Sequence, residues 1–367
     1  MTKASSGTVS LRDVAALAGV SVKTVSNVVN GYVHVSPTTR ERVQRVLDEL
    51  NYRPNLAART LRSSRTGLIA LAVPELDFPY FAELARHVVR AAEDRGWTVL
   101  IDQTDGLVER ERLVMDGIRA HLIDGLIFSP LALGRPELAA RSDRTPMVLL
   151  GERVYDGPVD HVAVDNVAAA RTAVEHLIGL GRQRVAAIGE QHQPSGGTAR
   201  LRSRGFTQAL LAAGLTPDPA FIMATESYHR VDGAAAMAKL LEQRPVPDAV
   251  FCYNDLLALG ALRVLHERGL RVPQDVALVG FDDIEDGRYS TPSLTTVRPD
   301  KQRIAQLAVE LLAGRLDGTD TGAPHELGAP FELTVRESTM GVHGPGPGQA
   351  QRQNRREPTS SRPRSAR

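Results

Sequence analysis

Residues 8–62 read TVSLRDVAALAGVSVKTVSNVVNGYVHVSPTTRERVQRVLDELNYRPNLAARTLR, and this stretch decides how the N-terminal part of the chain folds. It opens with a short predicted helix over Leu11–Ala18, in which Val14, Leu17 and Ala18 share one face at helical spacing. The Gly-Val pair that follows breaks this helix after about two turns.

A second short helix is predicted directly after the break. Ser21 has the chemistry of its N-cap, because the hydroxyl is free to accept a backbone N–H of the first turn. Val25, Val28 and Val29 give the helix an apolar face, and Asn30-Gly31 stops it. Two short helices around a tight glycine-containing turn predict a helix-turn-helix, whose second helix enters the DNA major groove by its N-terminal end.

A third helix completes the predicted headpiece. Ser36 caps it and Pro37 occupies its first position, where no backbone donor is needed. The inward side chains are Val43, Val46, Leu47 and Leu50.

The start of the second helix is expected to present Val22, Lys23, Thr24, Ser26 and Asn27 outward. Lysine can donate to guanine O6 and N7, asparagine can pair with adenine N6 and N7, and valine can touch a thymine methyl. Short polar groups suit phosphate oxygens, which set register and not sequence. These phosphate candidates are Ser10, Ser21, Thr24, Ser26, Asn30, His34 and Thr39. On spacing alone, an ordinary surface helix carrying Ser and Thr remains the alternative.

The segment after Pro54 suggests a second DNA element. Asn55 caps the run LAARTLR at 56–62, which makes about two turns of helix. Isolated helices this short are marginal in water, so the run needs a partner copy and DNA to become ordered. A plain flexible linker is the alternative.

Charge is distributed unevenly over the 367 residues, although the net charge is only +1. Residues 1–67 carry ten Lys and Arg against four Asp and Glu, and residues 341–367 carry six Arg against one Glu. The chain between them carries 28 basic against 38 acidic side chains. Basic ends on an acidic body place nucleic acid at the ends and not on the core.

Composition also indicates where the domains begin and end. We expect a disordered N-terminus over 1–8, a headpiece over 9–54, a hinge helix and linker over 55–66, a two-lobed core over 67–340 and a disordered basic tail over 341–367. The lone Cys252 is expected to be a buried small residue. With no apolar signal region at the N-terminus and no run of transmembrane length, a cytoplasmic protein without membrane contact is expected.

Between Gly67 and Met340, predicted strands and helices alternate, which favours parallel sheets covered by helices on both faces. Their number predicts two doubly wound α/β subdomains. The strand candidates are Leu68–Val73, Thr98–Ile101, Leu126–Ser129, Val148–Leu150, Val162–Val164, Val185–Ile188, Ala249–Cys252 and Ala277–Phe281. The helical stretches are Phe81–Arg95, Glu109–His121, Ala168–Leu180, Arg204–Ala213, Asp232–Glu242 and Leu256–Arg268.

Polar groups cluster just after these strands, where open α/β sheets bind ligands. Carboxylate, amide and guanidinium groups can hold hydroxyls, and aromatic side chains can cover an apolar ring face, so a polyhydroxylated ligand is indicated. Loop and helix-cap roles are the alternative, and we prefer them for Asp255 and Asp283. The ligand candidates are Tyr80, Phe81, Ser129, Arg153, Arg202, Tyr228, Asn254 and Asp282.

Three headpiece motifs, DVAALAGVSVKTVSNVVNG, HVSPTTRERV and LNYRPNLAARTLR, resemble those of the lactose-repressor (LacI) family of bacterial transcription regulators. The core motifs ARLRSRGFTQAL, VFCYNDLLALGALRVL and VPQDVALVGFDDIE extend the resemblance to about Met340. The resemblance implies an all-α headpiece followed by a periplasmic-binding-protein-like core of two parallel-sheet subdomains.

The resemblance also implies roles for particular residues. Val22, Lys23 and Asn27 stand at base-reading positions, although Asn27 replaces the Arg or His of some members. Arg202, Asn254 and Asp282 match positions that contact effector in sugar- and purine-responsive members. The hinge helices of two copies would meet in the minor groove, where Leu61 would wedge between base pairs. The hinge candidates are Asn55, Ala58, Leu61 and Arg62.

Together these features predict a homodimeric, ligand-responsive repressor of double-stranded operator DNA with a sugar-like effector. No cofactor, metal or catalytic residue is expected, because no G-x-S-x-G, H-E-x-x-H or phosphate-loop motif is present. Release by ligand and tightening by ligand are both compatible with the sequence. A soluble sugar-binding protein without DNA control is the alternative, and an enzyme acting on a sugar is a more distant one.

Overall fold

A computed structural model describes residues 9–29, 32, 34–52, 65–116, 122–192, 197–243 and 245–341. The chain divides between Thr66 and Gly67 into two compact units. Several predicted features lie outside the described residues: residues 1–8, Asn30, the hinge candidates Asn55, Ala58, Leu61 and Arg62, and the tail beyond Gly341.

The described part of the first unit contains the three predicted helices: α1 (Leu11–Ala18), α2 (Val22–Val29) and α3 (Pro37–Glu49). Gly19 ends α1 in the left-handed conformation that glycine adopts freely, with φ +61°. The helices enclose a small core made of Val14, Ala15, Ala18, Val25, Val28, Val43, Val46 and Leu47.

One detail of this core differs from the sequence prediction. Leu17 was expected to face inward, but it is 66% exposed, and Ala15 is buried in its place. On a helix with 3.6 residues per turn, the buried arc through Val14, Ala15 and Ala18 leaves Leu17 beyond its edge.

The second unit is built on two six-stranded sheets, which confirms the predicted fold class. The first has the order β11-β5-β4-β3-β1-β2 and the second β12-β10-β9-β8-β6-β7, and all neighbours are parallel except β10 and β12. The strands are β1 (Leu68–Val73), β2 (Thr98–Gln103), β3 (Gly125–Phe128), β4 (Met147–Leu150), β5 (Asp160–Val164), β6 (Val185–Glu190), β7 (Ile222–Ala224), β8 (Ala249–Cys252), β9 (Ala277–Phe281), β10 (Thr295–Pro299), β11 (Glu326–Ala329) and β12 (Phe331–Thr334).

Helices alternate with these strands along the chain. They are α4 (Pro79–Glu93), α5 (Val108–Met115), α6 (Arg135–Ala139), α7 (Asn166–Gly179), α8 (Gly197–Ala212), α9 (Arg230–Leu240), α10 (Asp255–Glu267), α11 (Glu285–Tyr289), α12 (Lys301–Asp317) and α13 (Glu337–Met340). Within the described ranges, none of the helices has the length and apolar character needed to cross a membrane.

The chain passes three times between the two lobes of this unit. The crossings follow β5, β10 and β11, because β1–β5 and β11 form one sheet whereas β6–β10 and β12 form the other. Separate apolar clusters fill the lobes, and Cys252 is fully buried in β8 as expected. The lobes are therefore two cores joined by three short connections.

Candidate DNA interface and ligand cleft

The predicted base-reading residues all lie on α2. Lys23 is exposed, and Val22 and Asn27 are partly exposed. Ser21 caps the helix as expected, since its hydroxyl accepts the Thr24 N–H at 3.0 Å and lies 2.8 Å from the Thr24 hydroxyl. The α2 helix therefore presents an ammonium group, an amide and a methyl-bearing side chain from one element.

The predicted phosphate contacts are less uniform. Ser10 caps α1 in a reciprocal arrangement with Asp13, and the Thr39 hydroxyl lies 2.8 Å from that of Ser36 at the start of α3. His34 is exposed and packs edge-on against Tyr32.

The expected outward position of Ser26 is wrong, because this residue is only 9% exposed. On the α2 helix Ser26 lies one turn after Val22, at the margin of the apolar face. Its side chain is small enough to be enclosed there.

In the second unit, a cavity of about 410 Å³ opens beyond the carboxyl ends of the strands. This volume falls in the usual range of roughly 300–1,000 Å³ for small-molecule sites. Seven of the eight predicted ligand residues line it: Tyr80, Phe81, Ser129, Arg153, Arg202, Tyr228 and Asp282. The strand-end rule thus brings together side chains that lie far apart in the sequence.

Arg202 and Asp282 form the charged centre of this cavity, and each is only 6% exposed. Arg202 Nη2 lies 4.0 Å from Asp282 Oδ1, and the guanidinium stacks 3.5 Å from the centre of the Phe281 ring. Arg202 also donates from Nε to Asn166 Oδ1 at 2.7 Å and from Nη1 to the Tyr253 carbonyl. The guanidinium is therefore fixed from three sides.

Burial dominates the ionisation of Asp282. It raises the pKa of this carboxyl to about 7, against the opposing effect of the nearby Arg202 and Lys301 cations. At neutral pH the group is therefore poised between an acceptor-only carboxylate and a carboxylic acid that can also donate. Its backbone is also unusual, since φ is +112° in a residue other than glycine.

Arg153 lines the cavity, but its guanidinium donates hydrogen bonds to backbone carbonyls of the protein. Nε donates to the Leu133 carbonyl at 3.3 Å and Nη2 to the Ala132 carbonyl at 3.0 Å. The fully buried Glu111 accepts the N–H groups of the same loop, at 2.7 Å from both Leu131 and Leu133. Arg153 and Glu111 together fix the loop that carries the cavity wall after β3.

Asn254, the eighth predicted ligand residue, is not part of the cavity lining. Its Oδ1 accepts the Leu257 N–H at 2.8 Å, which caps α10, and its Nδ2 donates to the Tyr228 carbonyl at 3.0 Å. Asn254 therefore positions Tyr228, and its contact with a ligand stays a prediction.

Asp255 and Asp283 have structural partners, in line with the preferred interpretation. Asp255 accepts from the Thr296 hydroxyl at 2.6 Å and the Ile284 N–H at 2.9 Å. Asp283 pairs with Arg336 at 2.6 Å and Arg288 at 2.8 Å, which lower its pKa against burial.

The sequence analysis missed several lining residues. Asn166 follows the end of β5 by two residues, so the strand-end rule could have found it, and Glu152 stands beside the chosen Arg153. Thr198 and Phe281 also line the cavity. Thr198 lies on α8, which begins at Gly197, about two turns before the predicted start at Arg204.

Two family models match separate parts of the chain. The lacI family of bacterial regulatory proteins matches residues 10–55, and the periplasmic binding protein-like domain matches residues 174–339. The chain is 37% identical over 336 residues to the HTH-type transcriptional regulator CelR of Thermobifida fusca, covering 89% of this chain and 97% of the relative.

Two solved structures are similar over most of the chain. A Lac repressor dimer bound to operator and the anti-inducer ONPF has a TM-score of 0.78 at 31% identity, covering 91% of this chain and 99% of the other. A complex of the transcriptional regulator CelR with cellobiose has a TM-score of 0.68 at 33% identity, covering 90% and 99%.

A helix-turn-helix unit followed along the chain by a two-lobed core with a cleft defines a transcriptional regulator. The chain belongs to the LacI family of bacterial regulatory proteins. Its relatives are transcriptional regulators and repressors, so this chain is not an enzyme.

Proposed function

We propose that this protein is a dimeric repressor that is released from a near-palindromic operator by a small sugar-like effector. The observation that carries the proposal is the cleft, in which the Arg202–Asp282 pair and five aromatic side chains surround a cavity of about 410 Å³. Polar groups that fix hydroxyls, beside rings that cover an apolar face, are the chemistry of a sugar site.

Two headpieces, each over residues 9–54, would read the two half-sites, since a two-fold dimer presents the same surface twice. Lys23, Asn27 and Val22 would contact base edges, with phosphate contacts from the short polar residues around them. The similar Lac repressor structure is a dimer on operator, which supports this arrangement. Because its DNA target is in the cytoplasm, the protein would act there.

Residues 55–66 would transmit the signal from the core over residues 67–340. Effector binding would change how the two lobes sit together and move the points where the two hinge segments leave the cores. If closure separates them, the hinge helices lose their pairing, Leu61 leaves the minor groove and DNA affinity falls. The basic tail over residues 341–367 would either add non-specific attraction to DNA or serve only as an inert solubilising segment.

The test is selection of bound sequences from a random DNA pool at fixed salt, repeated with a panel of sugars and nucleobases. A palindrome with an easily deformed pyrimidine–purine centre is expected, released by one sugar. Asp282→Ala should keep operator binding and lose the release. If no motif is enriched although a sugar binds tightly, the protein is a sugar-binding protein without DNA control.

A further inference from the structure

The cleft lining carries more carboxylates than cations. Its ionisable acids are Glu75, Asp105, Glu152, Glu226 and Asp282, and its only lining arginines among the described residues are Arg153 and Arg202. Asp105 is paired with Arg110 outside the cleft, and Glu75 lies 3.1 Å from His229. Even with those two acids set aside, acids outnumber the cations.

The cations are also committed to the protein. Arg153 donates to the Ala132 and Leu133 carbonyls, and Arg202 donates to Asn166 and Tyr253 while facing Asp282. A phosphate or carboxylate is usually held by a guanidinium fork with two free parallel N–H groups. Neither arginine presents such a fork to the cavity, because both are held in place by oxygen atoms of the chain.

The remaining polar groups suit hydroxyls. Glu152 Oε2 accepts from the Thr198 hydroxyl at 3.1 Å, and its other oxygen can accept from a ligand hydroxyl. Tyr228 lines the cavity, and its hydroxyl is buried with no hydrogen-bond partner among the described residues. A buried unpaired hydroxyl is costly, so a ligand group that pairs with it would be favoured.

We propose that the cleft selects an uncharged polyhydroxylated effector and rejects the phosphorylated or carboxylated form of the same sugar. Glu152 is the group that repels the acid, and the Tyr228 hydroxyl is a hydrogen-bond partner for a hydroxyl of the neutral sugar. This inference rests on the proposed function and narrows the chemical class of its effector. Like charges brought together in a desolvated site repel each other strongly enough to exclude a close analogue.

The experiment is calorimetric titration of the full chain with matched pairs that keep the same ring: glucose and glucose 6-phosphate, galactose and galacturonate, cellobiose and cellobiose 6′-phosphate. In the pair that binds, the acidic member should bind at least about 30-fold more weakly than the neutral one. Equal or tighter binding of the acidic member overturns the charge preference alone. If no pair binds, the proposed sugar effector fails and this inference falls with it.

Two variants separate charge from shape. Glu152→Gln keeps the size of the side chain but removes its charge, so the ratio of acidic to neutral Kd should fall about tenfold. The control Glu310→Gln, an exposed acid on α12 outside the lining, should leave that ratio unchanged. An unchanged ratio in Glu152→Gln would show that another group excludes the acid, which overturns the role given to Glu152.

Tyr228→Phe tests the hydroxyl. Loss of one hydrogen bond should weaken binding of the neutral sugar roughly 2- to 10-fold, with the aromatic contact retained. Unchanged affinity would mean that the sugar does not pair with this hydroxyl, which overturns that part of the proposal.

Discussion

Competing electrostatic effects determine the protonation state of Asp282. Its carboxyl is buried beside Arg202, which favours the charged form, while burial favours the neutral one. The pKa is raised to about 7 because burial wins. The backbone at φ +112° holds the residue at the cavity, and Lys301 donates to the carbonyls of Asp282 and Asp283. The chain thus maintains a destabilising group at its ligand site.

That balance predicts a pH dependence of folding. Because the folded pKa of about 7 lies above the unfolded value of 3.8, the ligand-free folded state keeps a proton that the unfolded state releases. The stability contribution of this group is therefore lost as pH rises from about 4 to about 7. Between pH 5 and pH 8, wild type should lose about 3 kcal/mol more than Asp282→Asn does.

Urea unfolding of both proteins at the two pH values measures this difference. Asp283, whose lowered pKa acts in the opposite direction, cancels in the comparison. Asp255, whose raised pKa acts in the same direction, cancels only in part, because burial and the Asp282 charge together raise its pKa. Parallel pH profiles for wild type and Asp282→Asn would contradict the raised pKa. The exposed Glu310→Gln should follow wild type.

At the scale of elements, α9 and α10 pack unusually closely because glycines face each other's backbones. A side-chain Cβ at Gly260 of α10 would clash with the Arg230 carbonyl, and one at Gly233 of α9 would clash with the Leu257 carbonyl. The obstacle in both places is backbone, which cannot rotate away as a flexible side chain can.

Gly260→Ala should therefore destabilise the core by roughly 1–3 kcal/mol or more, since the helices must separate. Gly179, at the end of α7, serves as the matched control, because no atom lies within 4 Å of the position that a Cβ would take there. Gly179→Ala should be neutral or stabilise by about 0.4–1 kcal/mol through the unfolded state. Thermal unfolding of the two variants decides the point, and similar effects would show that the helices can adjust.

The second element with a testable role is α2. Lys23→Ala and Asn27→Ala should each relax base preference at particular half-site positions by about 1–3 kcal/mol. Thr39→Ala, at the start of α3, should instead weaken binding to all sequences alike. Binding to a library of single-base operator variants distinguishes the two patterns. A uniform loss from Lys23→Ala would place that side chain on a phosphate.

The accuracy of the sequence prediction also varied with the element. The buried strands β8 and β9 were predicted with their observed bounds, because short apolar runs between turn residues give a clear signal. The three-residue β7 and the partly exposed edge strands β11 and β12 were missed, since their burial comes from neighbours that the local pattern does not show. The long α12 was also omitted, although Ile304, Ala308 and Leu312 repeat at helical spacing.

The residues of the ligand site could likewise be predicted from the sequence only in part. Residues at strand ends, such as Ser129 and Asp282, could be found from topology alone. The local sequence did not reveal that Arg153 is committed to loop carbonyls or that Asn254 caps a helix, because both facts depend on residues distant in the chain. Residue type predicts which chemistry is available, and packing decides whether it faces the ligand.

At the scale of the whole core, contacts across the cleft tie the lobes together beside the three crossings. Lys301 lies 2.8 Å from Glu83 of α4 in the first lobe and donates to the Asp283 carbonyl of the second at 3.2 Å. His229 and Glu75 meet at 3.1 Å near the cavity. A change in the lobe arrangement must rearrange these contacts. A ligand in the cleft can therefore shift the equilibrium between lobe arrangements.

If the ligand-induced change in lobe arrangement alters DNA affinity, effector and operator share one coupling free energy. An effector that lowers operator affinity by a given factor must lose affinity for the operator-bound protein by the same factor. Effector titrations with and without saturating operator, compared with operator titrations with and without effector, measure both factors at one salt concentration. In Asp282→Ala both factors should fall to about one, because the site no longer distinguishes the two lobe arrangements. Unequal factors would show that a further linked step, such as dissociation of the dimer, carries part of the response.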